Sequence, residues 1–147
     1  MPELVVFDLD YTLWDMFIDI DVTGPLHRKK STLNEIRDRD GQPISLYKDV
    51  PEILHRLKKA GVKIAVASRS TTPELAKRAL ELLLVPPPPG SDELPQRAID
   101  FFIQLEIYPT SKLMHFGRIH EATGIPYNKM VFFDDDLSNQ ETERLGQ

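Results

Sequence analysis

Apolar residues fall along the chain in short blocks of two kinds, and the kinds alternate. Residues 4–9 are apolar except for Asp8 and rich in valine, which predicts a strand buried on both faces, as in a parallel sheet. Asp49-Val50-Pro51-Glu52 supplies a capping acid and an early proline, and Val50, Ile53, Leu54 and Leu57 follow at helical spacing up to Gly61. Residues 62–67 form a second apolar run that ends in Ser68-Arg69. Thr71-Thr72-Pro73-Glu74 then opens a helix with Leu75, Ala79, Leu80 and Leu83 on one side. An apolar helical turn through Ala98, Phe101 and Phe102 leads into a short strand at Leu105-Glu106-Ile107-Tyr108. Ser111 caps a helix that runs through Leu113, Phe116 and Ile119 to Gly124, and residues 130–133 predict a further buried strand closed by Asp134-Asp135-Asp136.

Two stretches break this rhythm. Residues 10–48 are irregular, with Ile18 and Ile20 alternating with Asp19 and Asp21 and a turn signal at Asp40-Gly41, which predicts a small flap or hairpin over residues 14–46. Four consecutive prolines, Pro86 to Pro89, exclude helix and ladder pairing, so residues 86–95 read as a proline-rich surface loop rather than as a ligand for a partner domain.

Strands that alternate with helices define an α/β chain with a parallel sheet and helices on both faces. Ligands of such sheets lie outside the carboxyl ends of the strands. Asp8 and Asp10, Ser68 and Arg69, and Asp134 and Asp135 all stand at such ends, so the sequence predicts that they converge on one crevice.

Composition narrows this picture by exclusion. The chain has 147 residues, 41% of them hydrophobic, which is material for one core and a single domain over residues 1–147. Net charge is -5 and the longest basic run is Arg28-Lys29-Lys30, so nucleic acid is not an expected partner. No basic region precedes the first apolar run, and no apolar run approaches the ~20 residues that span a bilayer. A soluble, cytoplasmic monomer is the expectation. There is no cysteine, so a thiolate nucleophile is excluded.

The acids then carry the chemistry. Asp8 and Asp10 flank Leu9, and in an extended chain residues at that spacing project to the same side. With Asp134 and Asp135 added, up to four carboxylates gather where only a divalent cation or a shared proton relieves their repulsion. An oxygen-only donor set selects a hard cation such as Mg²⁺. Ser68, Arg69 and Lys112 beside it suit a phosphoryl group, which the site would bind or hydrolyse. The Asp-x-Asp pair favours hydrolysis, because it supplies both a nucleophile and a separate acid/base. His27, His55, His115 and His120 show no ligand spacing with the acids, and the last two are expected on a helix surface or a partly buried face. Trp14 and Phe17 read either as packing of the flap or as one wall of a substrate entrance.

These residues resemble a known pattern. Val5-Val6-Phe7-Asp8-Leu9-Asp10-Tyr11-Thr12 is similar to the first motif of the haloacid dehalogenase (HAD) superfamily, and Ser68, Lys112 and Phe133-Asp134-Asp135 resemble the second, third and fourth. The longer strings Asp8-Leu9-Asp10-Tyr11-Thr12-Leu13-Trp14, Ala67-Ser68-Arg69 and Glu106-Ile107-Tyr108-Pro109 resemble the eukaryotic magnesium-dependent phosphatase-1 family. That resemblance implies a Rossmann-like sheet with a minimal flap instead of a cap domain. It implies Asp8 as nucleophile and Asp10 as general acid/base, working through an aspartyl-phosphate intermediate. It implies Mg²⁺ held by Asp8, the Asp10 carbonyl and Asp135, with Asp134 behind them. Phosphate would be held by the Leu9 N–H, Ser68, Arg69 and Lys112, with Phe17 near the substrate. The implied substrates are phosphorylated small molecules or phosphoproteins, among them protein phosphotyrosine and sugar phosphates such as fructosamine 6-phosphates.

Relatives continue past a pair like Leu145-Gly146 into another strand, so the resemblance also implies that a final edge strand is absent here. A truncated, non-catalytic phosphate or Mg²⁺ binder, or a partner-interaction module, is the alternative reading. A signalling receiver domain fits less well, since Ser68-Arg69 occupies the place of its phospho-accepting aspartate.

Overall fold

The computed structural model describes residues 2–134. Its elements in chain order are β1 (Leu4–Phe7), α1 (Ile18–Asp21), β2 (Ile36–Arg37), β3 (Pro43–Ile44), α2 (Val50–Lys59), β4 (Lys63–Ser68), α3 (Pro73–Leu82), β5 (Leu84–Val85), β6 (Gln96–Arg97), β7 (Gln104–Ile107), α4 (Lys112–Thr123) and β8 (Met130–Phe133), with a 3₁₀ turn at Ala98–Phe101 and another at Tyr127–Lys129. Four strands form a parallel sheet in the order β7-β4-β1-β8, with Phe7 level with Val66 on one side and Phe133 on the other. The crossover from β1 to β4 is carried by the flap and α2, and that from β4 to β7 by α3 and the β5–β6 hairpin.

The pleat sorts the apolar residues of the central strands into two cores. Val5, Phe7, Ile64 and Val66 pack with Leu54 of α2 and with Ala76, Ala79 and Leu80 of α3. Leu4, Val6, Ala65 and Ala67, one residue out of phase, pack with Phe116 and Ile119 of α4. Helices therefore cover both faces, and the run of valine and alanine is continuous because each side chain has a core to enter.

The flap is smaller than its length suggests. Trp14 bridges Leu46, which closes the excursion at its base, and β2 pairs antiparallel with β3 at its tip. Asp38 holds this hairpin by accepting from the N–H groups of Thr23, Asp40 and Gln42, which keeps its carboxyl below the usual range against the opposing effect of burial. Asp19 of α1 accepts from both the N–H and the hydroxyl of Thr71, tying the flap to the loop beyond β4. The proline-rich residues 86–95 link β5 to β6, which pair antiparallel, and residues 92–95 at the far end of the link are exposed.

Two expectations change in detail, the cap of α2 and the burial of β8. Asp49 and Thr72 stand at the N-caps of α2 and α3, but neither side chain makes a cap bond, and the prolines in the first turn set the helical φ instead. Ser111 does cap α4, accepting from the Leu113 N–H at 3.1 Å. β8 is not buried: Val131 and Phe133 are exposed while Met130 and Phe132 are half-buried, because among the described residues it has a sheet neighbour only in β1. Asp135, Asp136 and the chain end at Leu145-Gly146-Gln147 lie outside the described residues. No helix among the described residues is long and apolar enough to cross a membrane.

Candidate active site at the carboxyl ends of the strands

Two sheet strands and the helix that follows a third bring functional side chains to the same place. Asp8 follows β1 directly, its N–H still bonded to the Phe133 carbonyl at 3.0 Å, so its side chain leaves from the sheet's carboxyl edge. Lys112, the first residue of α4, reaches across with a side chain that is 1% exposed. Its Nζ stands 3.3 Å from Asp8 Oδ1 and 3.4 Å from Asp134 Oδ2, and it donates to the Ala67 carbonyl at the end of β4. The Phe132 ring lies 4.8 Å from the same nitrogen. A lysine at a helix N-terminus runs against the helix dipole, and this site supplies the reason: two carboxylates and a carbonyl face it.

The surroundings of Asp8 oppose its ionisation. Asp8 also accepts from the Leu9 N–H at 2.8 Å. Burial nevertheless dominates and pushes its carboxyl from the ordinary 3.8 to about 7. Lys112 opposes this shift, and the nearby Asp134 adds to it. Burial and the neighbouring Asp134 thus disfavour the ionised form of Asp8, which a bound cation or a proton would relieve.

Asp10 is held differently. The chain turns immediately after Leu9, whose carbonyl accepts from the N–H groups of Thr12 and Leu13, and Tyr11 takes φ 56°. Asp10 Oδ1 accepts from the Trp14 indole N–H at 2.9 Å and from the Ile18 N–H at 3.1 Å. The two acids therefore do not sit on one extended strand. Asp8 belongs to the sheet and Asp10 to the turn that enters the flap. Trp14, fully buried, is the donor that fixes Asp10 rather than a wall of an entrance. Phe17, at 47% exposure, stands at the surface with its ring edge-to-face against that of Tyr11, the centroids 4.8 Å apart.

Ser68 is buried at the end of β4, and its Oγ accepts from the Ser70 N–H at 3.2 Å, which leaves the hydroxyl hydrogen for another acceptor. Arg69, next in the chain, is exposed. Of the residues singled out from sequence, the structure gathers Asp8, Lys112 and Asp134 into one hydrogen-bonded group. Ser68 stands at the neighbouring strand end, and Phe17 and Arg69 lie at the surface. Among the described residues no three acids or histidines cluster tightly enough to hold a metal, and Asp135 lies outside those residues. The sequence reading missed two links, Trp14 to Asp10 and Asp134 to Lys112. The four-residue spacing of the first was a visible signal, while the second joins distant segments and had none.

His115 is fully buried, where a helix surface or a partly buried face is expected from sequence. Its Nε2 pairs with the Tyr108 carbonyl at 2.9 Å, and its ring stacks on that of Tyr108.

The Trp14–Asp10 bond yields a direct prediction. Trp14→Phe keeps a large apolar ring in the core but removes the donor, so Asp10 loses one of its positioning bonds. Folding stability should fall by about 1–2 kcal/mol, read by denaturant titration. Turnover of the folded protein should fall about tenfold with a smaller change in KM.

The fold is that of the HAD-like hydrolases. The N-terminal part of a Bacteroides fragilis protein, described as containing a phosphatase domain complexed with Mg, superposes with a TM-score of 0.65 at 21% identity, over 98% of this chain and 33% of that one. The acid phosphatase family model matches residues 1–146, and the chain belongs to that family. A HAD-like hydrolase superfamily protein of Schizosaccharomyces pombe is 45% identical over 145 residues, 99% of this chain and 82% of the relative. Human magnesium-dependent phosphatase 1 is 44% identical over 139 residues, 95% of this chain and 70% of the relative.

Proposed function

We propose that the protein is a magnesium-dependent phosphomonoesterase in which Asp8 attacks phosphorus and Asp10 handles the protons. The observation that carries this reading is the buried Asp8 carboxylate at the end of β1, held by the Leu9 N–H and Lys112 and faced by Asp134. The relatives named for phosphatase activity and for magnesium support it.

The residues fit a hard divalent cation. The candidate ligand atoms are all oxygens, and burial disfavours the ionised form of the Asp8 carboxyl where it stands. Asp8, the Asp10 carbonyl and Asp135 would hold the ion. Bound Mg²⁺ would supply the charge that keeps Asp8 ionised and offsets the phosphoryl oxygens.

In the first half of the reaction an Asp8 oxygen forms a bond to phosphorus as the bond to the leaving oxygen breaks, and Asp10, in its acid form, donates a proton to that oxygen. In the second half Asp10 takes a proton from water as the water oxygen attacks phosphorus, and the Asp8–phosphorus bond breaks to release phosphate. Ser68 would donate its free hydroxyl hydrogen to the phosphoryl group, with Lys112 and Arg69 contributing charge. The Leu9 N–H, now bonded to Asp8, would shift to a phosphoryl oxygen when substrate enters.

With only a small flap over the site, large substrates have access. The exposed Tyr11–Phe17 pair offers an aromatic surface, which supports phosphotyrosine in a protein chain as one substrate and leaves sugar phosphates such as fructosamine 6-phosphates as the other. The test is hydrolysis of p-nitrophenyl phosphate. Turnover should appear with Mg²⁺, fall to background in EDTA and return when Mg²⁺ is restored. Turnover that EDTA leaves untouched would rule the metal-dependent reading out.

A further inference from the structure

Of the buried, titratable side chains that take no part in this mechanism, one lies beside Lys112. His115 is 0% exposed and sits one helical turn after Lys112. Its Nε2 pairs with the Tyr108 carbonyl at 2.9 Å, and its ring lies 4.4 Å from that of Tyr108 at an interplanar angle of 27°. Its Nδ1 is buried with no hydrogen-bond partner. Tyr108 faces the other way as well, since its N–H donates to the Ser68 carbonyl at 3.0 Å. The Tyr108 peptide is therefore a bridge, with the phosphate-site strand end on one side and the Lys112 helix on the other.

We infer that His115 is a positioning residue for the reaction of the proposed phosphatase site: as a neutral ring that donates from Nε2 to the Tyr108 carbonyl, it fixes the first turns of α4 so that Lys112 meets Asp8 in register with Ser68. The acceptors of Lys112 all stand on sheet strand ends. A shift of α4 along the sheet would therefore draw the ammonium away from Asp8, and an error of about 1 Å in such a group is enough to slow chemistry about a hundredfold.

The surroundings favour the neutral ring. Lys112 and Arg118 on the same helix are cationic, and the Arg118 guanidinium lies 5.6 Å from the Tyr108 ring. Glu106 and Tyr108 face His115 from β7 and the loop beyond it, and Ser68 from β4. Burial lowers the imidazole pKa below its ordinary 6.5, and Lys112 lowers it further against the pull of the Tyr108 and Ser68 carbonyls and Glu106. A carbonyl accepts only from a protonated nitrogen, so the bond assigns the Nε2–H tautomer and leaves Nδ1 as a bare acceptor.

The test uses the full chain with Mg²⁺ and p-nitrophenyl phosphate. His115→Phe keeps the ring against Tyr108 but has no donor, whereas the amide of His115→Gln reaches toward the same carbonyl. His115→Phe should lower kcat about tenfold and change KM less than about twofold, and His115→Gln should recover kcat to within about threefold of the parent. Nitrogen NMR of the parent at neutral pH should show a neutral ring protonated at Nε2. The inference is overturned by a folded His115→Phe with parental kcat, by equal losses in both variants, or by a parent ring that is cationic or protonated at Nδ1. If His115→Phe does not fold, the glutamine variant and the ring nitrogens decide. A parent without turnover refutes the phosphatase reading itself, whereas parental turnover in a folded His115→Phe refutes only the role of His115.

Discussion

Asp8→Asn is expected to lower the turnover of p-nitrophenyl phosphate by at least about 10³-fold, since the amide can neither attack phosphorus nor leave as a carboxylate. The loss should come without loss of folding. The Asp8 carboxyl is raised from 3.8 to about 7 in the folded protein, so ionising it there opposes folding. Between these two values the unfolded chain has already released the proton that the folded protein still binds, so this group's contribution to stability falls as pH rises through that interval. Asparagine removes the dependence. In metal-free buffer the melting temperature of Asp8→Asn should match or exceed that of the parent, and the difference should widen from pH 4 to pH 7. A variant that is inactive only because it is unfolded would show the opposite.

Lys112→Met should be damaging in both respects. The methionine fills much the same space but leaves Asp8, Asp134 and the Ala67 carbonyl without their shared cation. Breaking a buried charge group by removing one partner destabilises by about 3–5 kcal/mol, which denaturant titration would resolve. Activity should fall about 10²–10³-fold, because the same ammonium is expected to offset charge on the phosphoryl group. Lys112→Arg is not expected to rescue, since the larger planar head does not fit a site built around one nitrogen. Parental stability in Lys112→Met would mean that the two carboxylates are relieved by some other group.

The contrast between these variants shows what the chain discloses before it folds. Asp8, Ser68 and Lys112 were legible because each stands where a strand or helix pattern changes, and in a parallel sheet such points share one edge. The two cores were legible for the same reason: the unbroken apolar runs of β1 and β4 only make sense between two layers of helix. The hydrogen bonds inside the site were not. Trp14 reads from sequence as a large apolar residue, and only the turn at Tyr11 brings its N–H to Asp10. His115 reads as one polar position on a helix, and its burial depends on the loop after β7 folding back over α4. The exposed face of β8 was missed because valine and phenylalanine report a strand but not its number of neighbours.

The central claim is that Asp8 carries the phosphoryl group, and trapping it there tests this most directly. In Asp10→Asn the water that hydrolyses the intermediate loses its base, while p-nitrophenolate leaves readily without an acid, so the intermediate should accumulate. Acid quenching after one turnover, borohydride reduction and peptide sequencing should then find homoserine at position 8. Release of p-nitrophenolate with an unmodified aspartate at position 8 throughout would contradict the account.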